Sequence, residues 1–433
     1  MTMTFTSTRG EAPAVGIEAA LAAGLAPDGG LYVGASIPRW QGDIAALASM
    51  PLHEVAGSVL APWFAGSTLA AALPALCEDA FDFPAPLVPM TGKDDHLLEL
   101  FHGPTAAFKD YAARSLAGAL AALRDSGEAD TTIIVATSGD TGAAVASAFH
   151  RRPGFRVVIL YPHGRVSPRQ AHGLECWGDN VHAYRVDGSF DDCQRLAKQA
   201  LNDAELRSTV PLATANSISL GRLLPQMAYY AQAAARHFSA HGESLGFIIP
   251  SGNLGNASAA WMARAMGLPV GDIHLACNAN DVLPAFFAGG EYQPQPARAT
   301  LANAMDVGAP SNFERLRHWA GGDDALRRTF AATTVDDATI RRTIADAPLV
   351  HGIVPCPHTA CGLHVLEGLR GAGDTRAWAV VATAHPAKFE GIVEPLVGHA
   401  VAPPPALAAC LSRPAQGDPL ANDYAALRQL LAG

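Results

Sequence analysis

Short apolar runs rich in β-branched residues alternate along the chain with longer segments rich in alanine and leucine. The apolar runs have the length of buried strands and are bounded by glycine, proline or asparagine. The longer segments, such as those after Lys109 and Gly255, have the composition of helices. This alternation predicts βαβ units, and therefore an α/β fold with parallel sheets covered by helices on both faces. The clearest apolar runs are residues 131–138, 156–162, 246–251, 273–278 and 378–384.

Proline, glycine and polar residues indicate where this alternation is interrupted. The proline-rich segment 83–89 predicts a boundary between an N-terminal segment and the first catalytic unit, and residues 288–300 predict a surface loop. The polar region 321–346 predicts exposed helices. Residues 403–419, which are rich in proline, predict a linker before a final short helix.

The composition argues against several classes of protein. Of the 433 residues, 49% are hydrophobic and 16% are charged, which suits large cores and argues against a disordered or coiled-coil chain. The net charge of −10 argues against a nucleic-acid partner, because phosphate backbones attract clustered lysine and arginine. The seven scattered cysteines indicate reduced thiols, and we find no signal peptide and no run of about 18 apolar residues. We therefore expect a soluble cytoplasmic protein without a membrane partner.

Lys109 is the first candidate for chemistry. It follows an apolar stretch that contains Phe101 and Phe108, and a helical pattern begins at this position. A lysine desolvated by these rings would have a lowered pKa, so its amine could form an imine and act as a general base. The alternative is a surface lysine that caps a helix together with Asp110. Small residues just before Phe108 favour the first interpretation, because they leave room for a ligand.

Two glycine-containing loops, each between a predicted strand and a predicted helix, are candidate anion sites. In SGNLGN at 251–256, Gly252 and Gly255 allow backbone N–H groups to turn inward beside the positive end of a helix. This loop lacks the signatures of nucleotide and dinucleotide sites. Two interpretations therefore stay open, a site for a phosphate that is not part of a nucleotide and an ordinary βα turn. In TSGDT at 137–141, hydroxyl and N–H groups at a helix N-terminus suit a carboxylate, unless a polar residue simply caps the helix.

Two further segments contain candidate functional residues. Asn216 precedes an apolar helix with Arg222 near its first turn, where a guanidinium could clamp a phosphate; a solvated helix arginine is the alternative. Thr383 ends a buried strand, at the sheet edge where side chains commonly face a ligand. His385 and Lys388 follow it and are candidate functional residues, although each is also a reasonable residue for the start of a helix.

The segment CPHTACG, which begins at Cys356, has the cysteine and histidine residues of a metal half-site. No matching second pair follows at a zinc-like spacing, and a catalytic zinc would need a third protein ligand. We therefore predict no metal.

Taken together and in this order, these segments resemble the threonine synthases, which are fold-type II pyridoxal-phosphate enzymes like the tryptophan synthase β subunit. The resemblance runs along most of the chain, and the combination of FHGPT-x-AFKD, SGDTG and DVG-x-PSNFERL is far more specific than any single glycine loop. It implies pyridoxal 5'-phosphate as cofactor, held as a Schiff base in a cleft between two α/β domains. It also implies an N-terminal extension at 1–85 and a catalytic region at 86–433, with a smaller subdomain at about 112–215.

The resemblance assigns roles to individual residues. It makes Lys109 the cofactor lysine and catalytic acid–base, and Thr383 matches the hydroxyl residue beside the pyridine nitrogen. Asn216 and Arg222 fall in a segment near the substrate. The residues that match the cofactor-phosphate loop are Gly252, Asn253, Leu254, Gly255 and Asn256. The residues that match the loop for the substrate α-carboxylate are Thr137, Ser138, Gly139, Asp140 and Thr141.

The implied reaction converts O-phospho-L-homoserine and water to L-threonine and phosphate, in a monomer or a homodimer. Two alternatives stay open. The first is another pyridoxal-phosphate lyase, such as a serine/threonine dehydratase, which would need no second phosphate site. The second is a non-catalytic paralogue that binds small phosphorylated metabolites, against which an intact Lys109 argues. The positions that depart from the family pattern are Ser219, Leu220, Gly221, Ser251, Leu254, Ala309 and Cys356.

Overall fold

The chain forms a six-stranded sheet, a five-stranded sheet and a two-stranded N-terminal sheet. The structure is a computed structural model that describes residues 2–92, 94–125 and 127–433. The strands of these residues are β1 (Phe5–Ser7), β2 (Tyr32–Gly34), β3 (Leu87–Pro89), β4 (Asp95–Glu99), β5 (Thr131–Ala136), β6 (Phe155–Pro162), β7 (Val181–Val186), β8 (Leu212–Thr214), β9 (Leu245–Pro250), β10 (Val270–Cys277), β11 (Ala331–Thr334), β12 (Trp378–Ala382) and β13 (Gly417–Leu420).

Helices surround these sheets. They are α1 (Ile17–Ala23), α2 (Ile44–Ser49), α3 (Leu52–Leu60), α4 (Leu73–Ala80), α5 (Lys109–Ala122), α6 (Asp140–Phe149), α7 (Pro168–Glu175), α8 (Phe190–Asn202), α9 (Ala204–Thr209), α10 (Leu220–Leu223), α11 (Met227–His241), α12 (Gly255–Ala265), α13 (Val282–Phe287), α14 (Phe313–Ala320), α15 (Asp323–Arg327), α16 (Asp337–Val350), α17 (Pro357–Gly371), α18 (Glu390–Val397), α19 (Pro405–Leu411) and α20 (Tyr424–Ala432). Over the described ranges, none of the helices has the length and apolar character needed to cross a membrane.

The six-stranded sheet has the order β11-β10-β9-β12-β4-β3. Its strands pair in parallel except β3, which pairs antiparallel with β4 at one edge. Alternate side chains of β9 enter different cores. Phe247 and Ile249 belong to a core shared with α11 and α12, whereas Ile248 belongs to a core shared with α17. Helices therefore cover both faces of this sheet, as the sequence predicts.

The five-stranded sheet has the order β13-β7-β6-β5-β8, and all its strands are parallel. Its side chains also alternate between two cores: Ile133 packs in the core that contains α6, and Ile134 packs in the core that contains α8 and α20. This sheet is likewise buried on both faces. That burial explains why β5 and β6 are almost continuously apolar.

The five predicted apolar runs are confirmed as strands, with ends that shift by a few residues. Two other predictions are wrong in part. The region 321–346 contains β11 as well as helices, and the region 403–419 contains α19 and β13 instead of a linker. Both missed strands are short and lie at sheet edges, where pairing with β10 and β7 forms them. The boundary at residue 85 and the subdomain at about 112–215 stay predictions, and β13 joins the smaller sheet from outside that range.

Candidate active site

A cavity of about 760 Å³ lies where the carboxyl ends of strands from both sheets meet. The loop after β5, the loop after β9 and the residue that follows β12 all contribute to its lining. Parallel strands bring their carboxyl ends to one edge of a sheet, so segments distant in sequence converge there. Of the predicted site residues, Gly139 is outside the lining. Those that line the cavity are Lys109, Thr137, Ser138, Asp140, Thr141, Asn216, Arg222, Gly252, Asn253, Leu254, Gly255, Asn256 and Thr383.

Lys109 is the first residue of α5, and its side chain lines the cavity. Its Nζ lies 4.8 Å from the centre of the Phe108 ring. Burial lowers the pKa of Lys109, an effect that exceeds the opposing influence of the Asp140 charge. Phe108 therefore lies beside the amine of Lys109, as the sequence predicts. Phe101 instead packs edge-on against His385, with ring centroids 5.2 Å apart.

Asp140, at the N-terminus of α6, lies between two lysines. Its Oδ2 is 3.5 Å from Nζ of Lys109, and its Oδ1 is 2.7 Å from Nζ of Lys388. Burial alone would raise the pKa of Asp140, but the charges of Lys388 and Lys109 outweigh it and hold this pKa well below its usual range. The side chain is thus an ionised carboxylate that two lysines neutralise. Asp140 lies in the cavity, and its predicted role in binding the substrate stays a prediction.

The loop after β5 is organised by its own hydrogen bonds. Oγ1 of Thr137 accepts hydrogen bonds from the backbone N–H groups of Gly139 at 3.0 Å and Gly142 at 2.9 Å. Gly139 has a φ of 132°, a conformation that favours glycine, so it shapes the turn without lining the cavity. Ser138 and Thr141 do line the cavity at the N-terminus of α6. These two residues and the helix end suit the substrate carboxylate.

The loop after β9 leads into the N-terminus of α12, where backbone N–H groups have no intrahelical acceptor. Its left-handed residue is Leu254, with a φ of 61°, and not Gly255. Gly252 is required for a different reason, since a Cβ there would lie 2.9 Å from Cα of Met305. The strand–loop–helix arrangement is therefore as the sequence predicts, but the residue in the left-handed conformation is neither of the two glycines. The close approach of two backbones leaves the helix end facing the cavity as an anion site.

Asn256 gives an independent indication of a ligand at this helix end. Its Oδ1 accepts hydrogen bonds from the hydroxyls of Tyr229 at 2.7 Å and Tyr230 at 2.8 Å. These bonds set the orientation of the amide. Its buried Nδ2 has no hydrogen-bond partner in the part of the chain that the structure describes. A buried donor without an acceptor is unfavourable, so an oxygen of a bound ligand accounts for it.

Arg222, on α10, is 3% exposed and has no carboxylate within ion-pair distance among residues 2–92, 94–125 and 127–433. Its Nη1 donates to the carbonyl of Ala215 at 2.5 Å. Its Nε and the Oδ1 of Asn216 are buried without partners in these ranges. Burial lowers the pKa of Arg222 to about 10, so the guanidinium stays charged at neutral pH. A buried charge without a counter-ion is unfavourable, and an anion in the cavity would compensate it.

The CPHTACG segment reaches the same cavity through His358. The sequence indicates this histidine only as part of a metal half-site. Nε2 of His358 accepts a hydrogen bond from the N–H of Ala304 at 3.1 Å, and the ring lines the cavity. Burial lowers the pKa of His358 to about 4, so the imidazole is neutral at neutral pH. Cys356 caps α17 by accepting from the N–H of Thr359 at 3.5 Å. Local spacing did not indicate either role.

Family profiles cover nearly the whole chain. Residues 83–387 match the family described as pyridoxal-phosphate dependent enzyme, and residues 4–81 and 359–431 match the threonine synthase N terminus and the threonine synthase C-terminal family. The chain is 38% identical to the threonine synthase of Haemophilus influenzae over 408 residues, which cover 94% of both proteins. It is 40% identical to that of Escherichia coli K12 over 352 residues, which cover 81% of both.

Solved structures agree with these similarities. The pyridoxal-phosphate-bound threonine synthase from Brucella melitensis has a TM-score of 0.91 and 35% identity, over 100% of this chain and 99% of that one. The yeast threonine synthase has a TM-score of 0.87 and 28% identity, over 99% and 98% of the two chains. Together with a lysine that lines the cavity, these similarities confirm the fold-type II prediction and its cofactor. The chain belongs to the threonine synthase family of pyridoxal-phosphate-dependent lyases.

Proposed function

We propose that the chain converts O-phospho-L-homoserine and water to L-threonine and phosphate, with pyridoxal 5'-phosphate bound at Lys109. The observation that supports this reaction most directly is the second anion site. Arg222 is a buried charge without a carboxylate partner among the described residues, and it comes from α10, a different helix from α12, whose end suits the cofactor phosphate. A lyase whose substrate carries no phosphate needs only the site at α12.

The residues present fit this cofactor. The N–H groups at the start of α12 and Nδ2 of Asn256 would hold its phosphate, Lys109 would bind its carbonyl carbon, and the hydroxyl of Thr383 would face its pyridine nitrogen. When bound, the cofactor withdraws electrons from the substrate carbon that loses a proton. The phosphate loop is held from its other side by Asn312, whose Nδ2 donates to the carbonyl of Asn253 at 3.0 Å.

The protein's part in the reaction is to hold the substrate at both ends and to move protons at its centre. Ser138 and Thr141 bind the α-carboxylate, while Arg222 and Asn216 bind the phosphate. Burial favours the neutral form of the Lys109 amine. Its Nζ therefore takes the α proton and moves protons at Cβ and Cγ. The C–O bond at Cγ breaks as phosphate leaves, and a new C–O bond forms at Cβ as water adds.

The direct test is incubation of the purified protein with O-phospho-L-homoserine in heavy water. We expect threonine and phosphate in equal amounts, deuterium at Cα and Cγ of threonine, and competition by inorganic phosphate. If 2-oxobutyrate were the main product, or if only serine or threonine were consumed, the dehydratase alternative would replace this proposal. Binding of the substrate without turnover would favour the paralogue.

Replacing Gly252 with alanine is expected to raise the Kd for pyridoxal 5'-phosphate about 5- to 150-fold. The new Cβ would lie 2.9 Å from Cα of Met305, so the loop must move, at a cost of about 1–3 kcal/mol. The measurement is a spectroscopic titration of the cofactor-free chain. Gly255→Ala is the matched comparison, because its Cβ meets only Nδ2 of Asn312, at 3.6 Å. An unchanged Kd in Gly252→Ala would separate this loop from the cofactor phosphate.

Replacing Thr383 with valine is expected to lower kcat about 5- to 10-fold while the cofactor stays bound. The side chains have the same shape, and the backbone carbonyl of residue 383 still accepts from the N–H of Phe108, at 2.9 Å in the parent. The lost hydroxyl corresponds to one neutral hydrogen bond of about 1 kcal/mol. Thr383→Ser, which keeps the hydroxyl, is the control. An unchanged rate and visible spectrum in Thr383→Val would contradict the assignment.

We further propose that the chain acts in the cytoplasm as a monomer or homodimer, without a nucleic-acid partner. The net charge of −10 supports the last point, since it disfavours binding to phosphate backbones. Sedimentation of the purified protein measures its assembly state directly.

A further inference from the structure

Lys388 is a buried cation that has no role in the reaction described above. It lies in the helical turn Pro386–Phe389 after β12 and is 3% exposed. Its Nζ makes two contacts, with Oδ1 of Asp140 at 2.7 Å and with the carbonyl of Thr105 at 2.8 Å. The other oxygen of the same carboxylate is the one that lies 3.5 Å from Nζ of Lys109. A single buried carboxylate is thus shared by two lysines, and Lys388 holds it more closely.

Both ends of Lys388 are held in place. Its carbonyl accepts from the hydroxyl of Ser167 at 2.9 Å, and the preceding carbonyl, of Ala387, accepts from Nη1 of Arg169 at 2.7 Å. At the other end, Thr105 donates from its N–H and its hydroxyl to Asp110, at 2.9 and 2.6 Å. The position of the ammonium group is therefore fixed by three separate segments before any ligand binds.

The charges in this cluster favour a neutral amine at Lys109. Asp140 and Lys388 together have no net charge, so a third, neutral group beside them leaves no unpaired buried charge. If Lys388 were absent, Lys109 would be the remaining lysine partner of a buried carboxylate and would be held in its charged form. The other charged or titratable groups around the cluster are Asp110, Arg222, Cys356, His358, His385 and Cys410.

We propose that Lys388 is a positioning residue that pairs with Asp140 and so leaves Lys109 free to act as an uncharged base. The proposal rests on the proposed role of Lys109 as the proton acceptor. Lys388 acts only through Asp140, so its removal is expected to change the pH at which Lys109 loses its proton. Burial has the largest effect and lowers the pKa of Lys109. The charge of Asp140 raises this pKa, whereas the charges of Lys388 and Arg222 lower it further.

Four variants test this, and two of them are expected to shift the pKa of Lys109 in opposite directions. In Lys388→Met, loss of the competing cation is expected to raise the pKa of Lys109 by about 1–2 pH units. In Asp140→Asn, which preserves the shape of the side chain, that pKa is expected to fall. In the double variant Lys388→Met/Asp140→Asn, which removes one charge of each sign, it is expected to return toward the parent value. Lys388→Arg, which keeps the charge, is expected to retain the parent value.

Two measurements report this pKa. The first is the pH dependence of the reaction of cyanate with Lys109 in the full, cofactor-free chain, followed by mass spectrometry of the peptide, because cyanate reacts only with the neutral amine. The second is the acidic limb of the pH profile of kcat for O-phospho-L-homoserine, which reports groups in the enzyme–substrate complex. Arg341→Met, which removes an exposed cation of α16, is the control and should shift neither.

Each outcome decides the proposal. If both midpoints stayed at the parent pH in Lys388→Met, the proposal would be wrong whether or not activity fell, and a fall in activity alone would mean that Lys388 supports only the fold. An upward shift in Asp140→Asn would also overturn it, and that variant provides the test if Lys388→Met does not fold. The cyanate measurement needs no substrate. Its result therefore holds even if the product proves not to be threonine, and the two proposals fail separately.

Discussion

Replacing Lys109 with alanine is expected to lower kcat for threonine formation on the order of 10⁴-fold, the upper end of what one acid–base group contributes. The reason is that, among residues 2–92, 94–125 and 127–433, no second base lies in an equivalent place. Asp140 is ionised but paired with Lys388, and His358 has a pKa of about 4, so its ring is a weak base. The measurement is the rate of phosphate release from O-phospho-L-homoserine, with circular dichroism to verify the fold.

Chemical trapping provides the control for this experiment. Borohydride treatment of the parent protein should remove its visible colour and leave the cofactor attached to the peptide that contains Lys109. The same treatment of Lys109→Ala should leave no adduct on that peptide. If Lys109→Ala still formed threonine at a rate near that of the parent, the assignment of the base would be wrong.

Replacing Arg222 with alanine is expected to raise KM for O-phospho-L-homoserine about 10- to 150-fold. This range corresponds to the loss of a charge-assisted contact with the substrate phosphate, which contributes about 1.5–3 kcal/mol. The buried guanidinium has a free Nε and no carboxylate partner among the described residues, so a phosphate would be its principal counter-ion. The visible spectrum of the cofactor should stay unchanged, since the N–H groups and Asn256 at the start of α12 are left in place.

Arg222 also donates to the carbonyl of Ala215, so its loss could weaken the turn before α10. Arg222→Lys separates the two effects because it keeps the charge but removes the bidentate geometry, and we expect an intermediate KM. Inhibition by inorganic phosphate should weaken in parallel with KM in both variants. If KM and phosphate inhibition both stayed at the parent values, the second anion site would lie elsewhere, and the dehydratase alternative would gain support.

Lys388, whose role the sequence leaves open, and Arg315 show the limit of local patterns. Lys388 is one of several polar residues after β12, and nothing in ATAHPAKF distinguishes it from a residue that starts a helix. Its partner Thr105 is 283 positions away in the chain. Arg315 is a similar case: it is fully buried, and it donates to the carbonyls of Tyr32 and Ile218, at 2.9 and 2.6 Å. Such contacts depend on how sheets and helices pack together.

By itself, the sequence determined the features that depend on near neighbours. Strands such as β5 and β9 follow from runs of apolar residues, and the anion sites follow from polar or glycine residues between a strand and a helix. Family-specific motifs such as SGDTG indicated the cofactor and the reaction. The tertiary structure alone decided which edge strands pair, that Gly252 meets Met305, and that Asp140 lies between two lysines. The physical reason is that strand pairing, close packing and buried charge depend on segments that come into contact only after folding. The local pattern of apolar and polar residues does not indicate which segments these are.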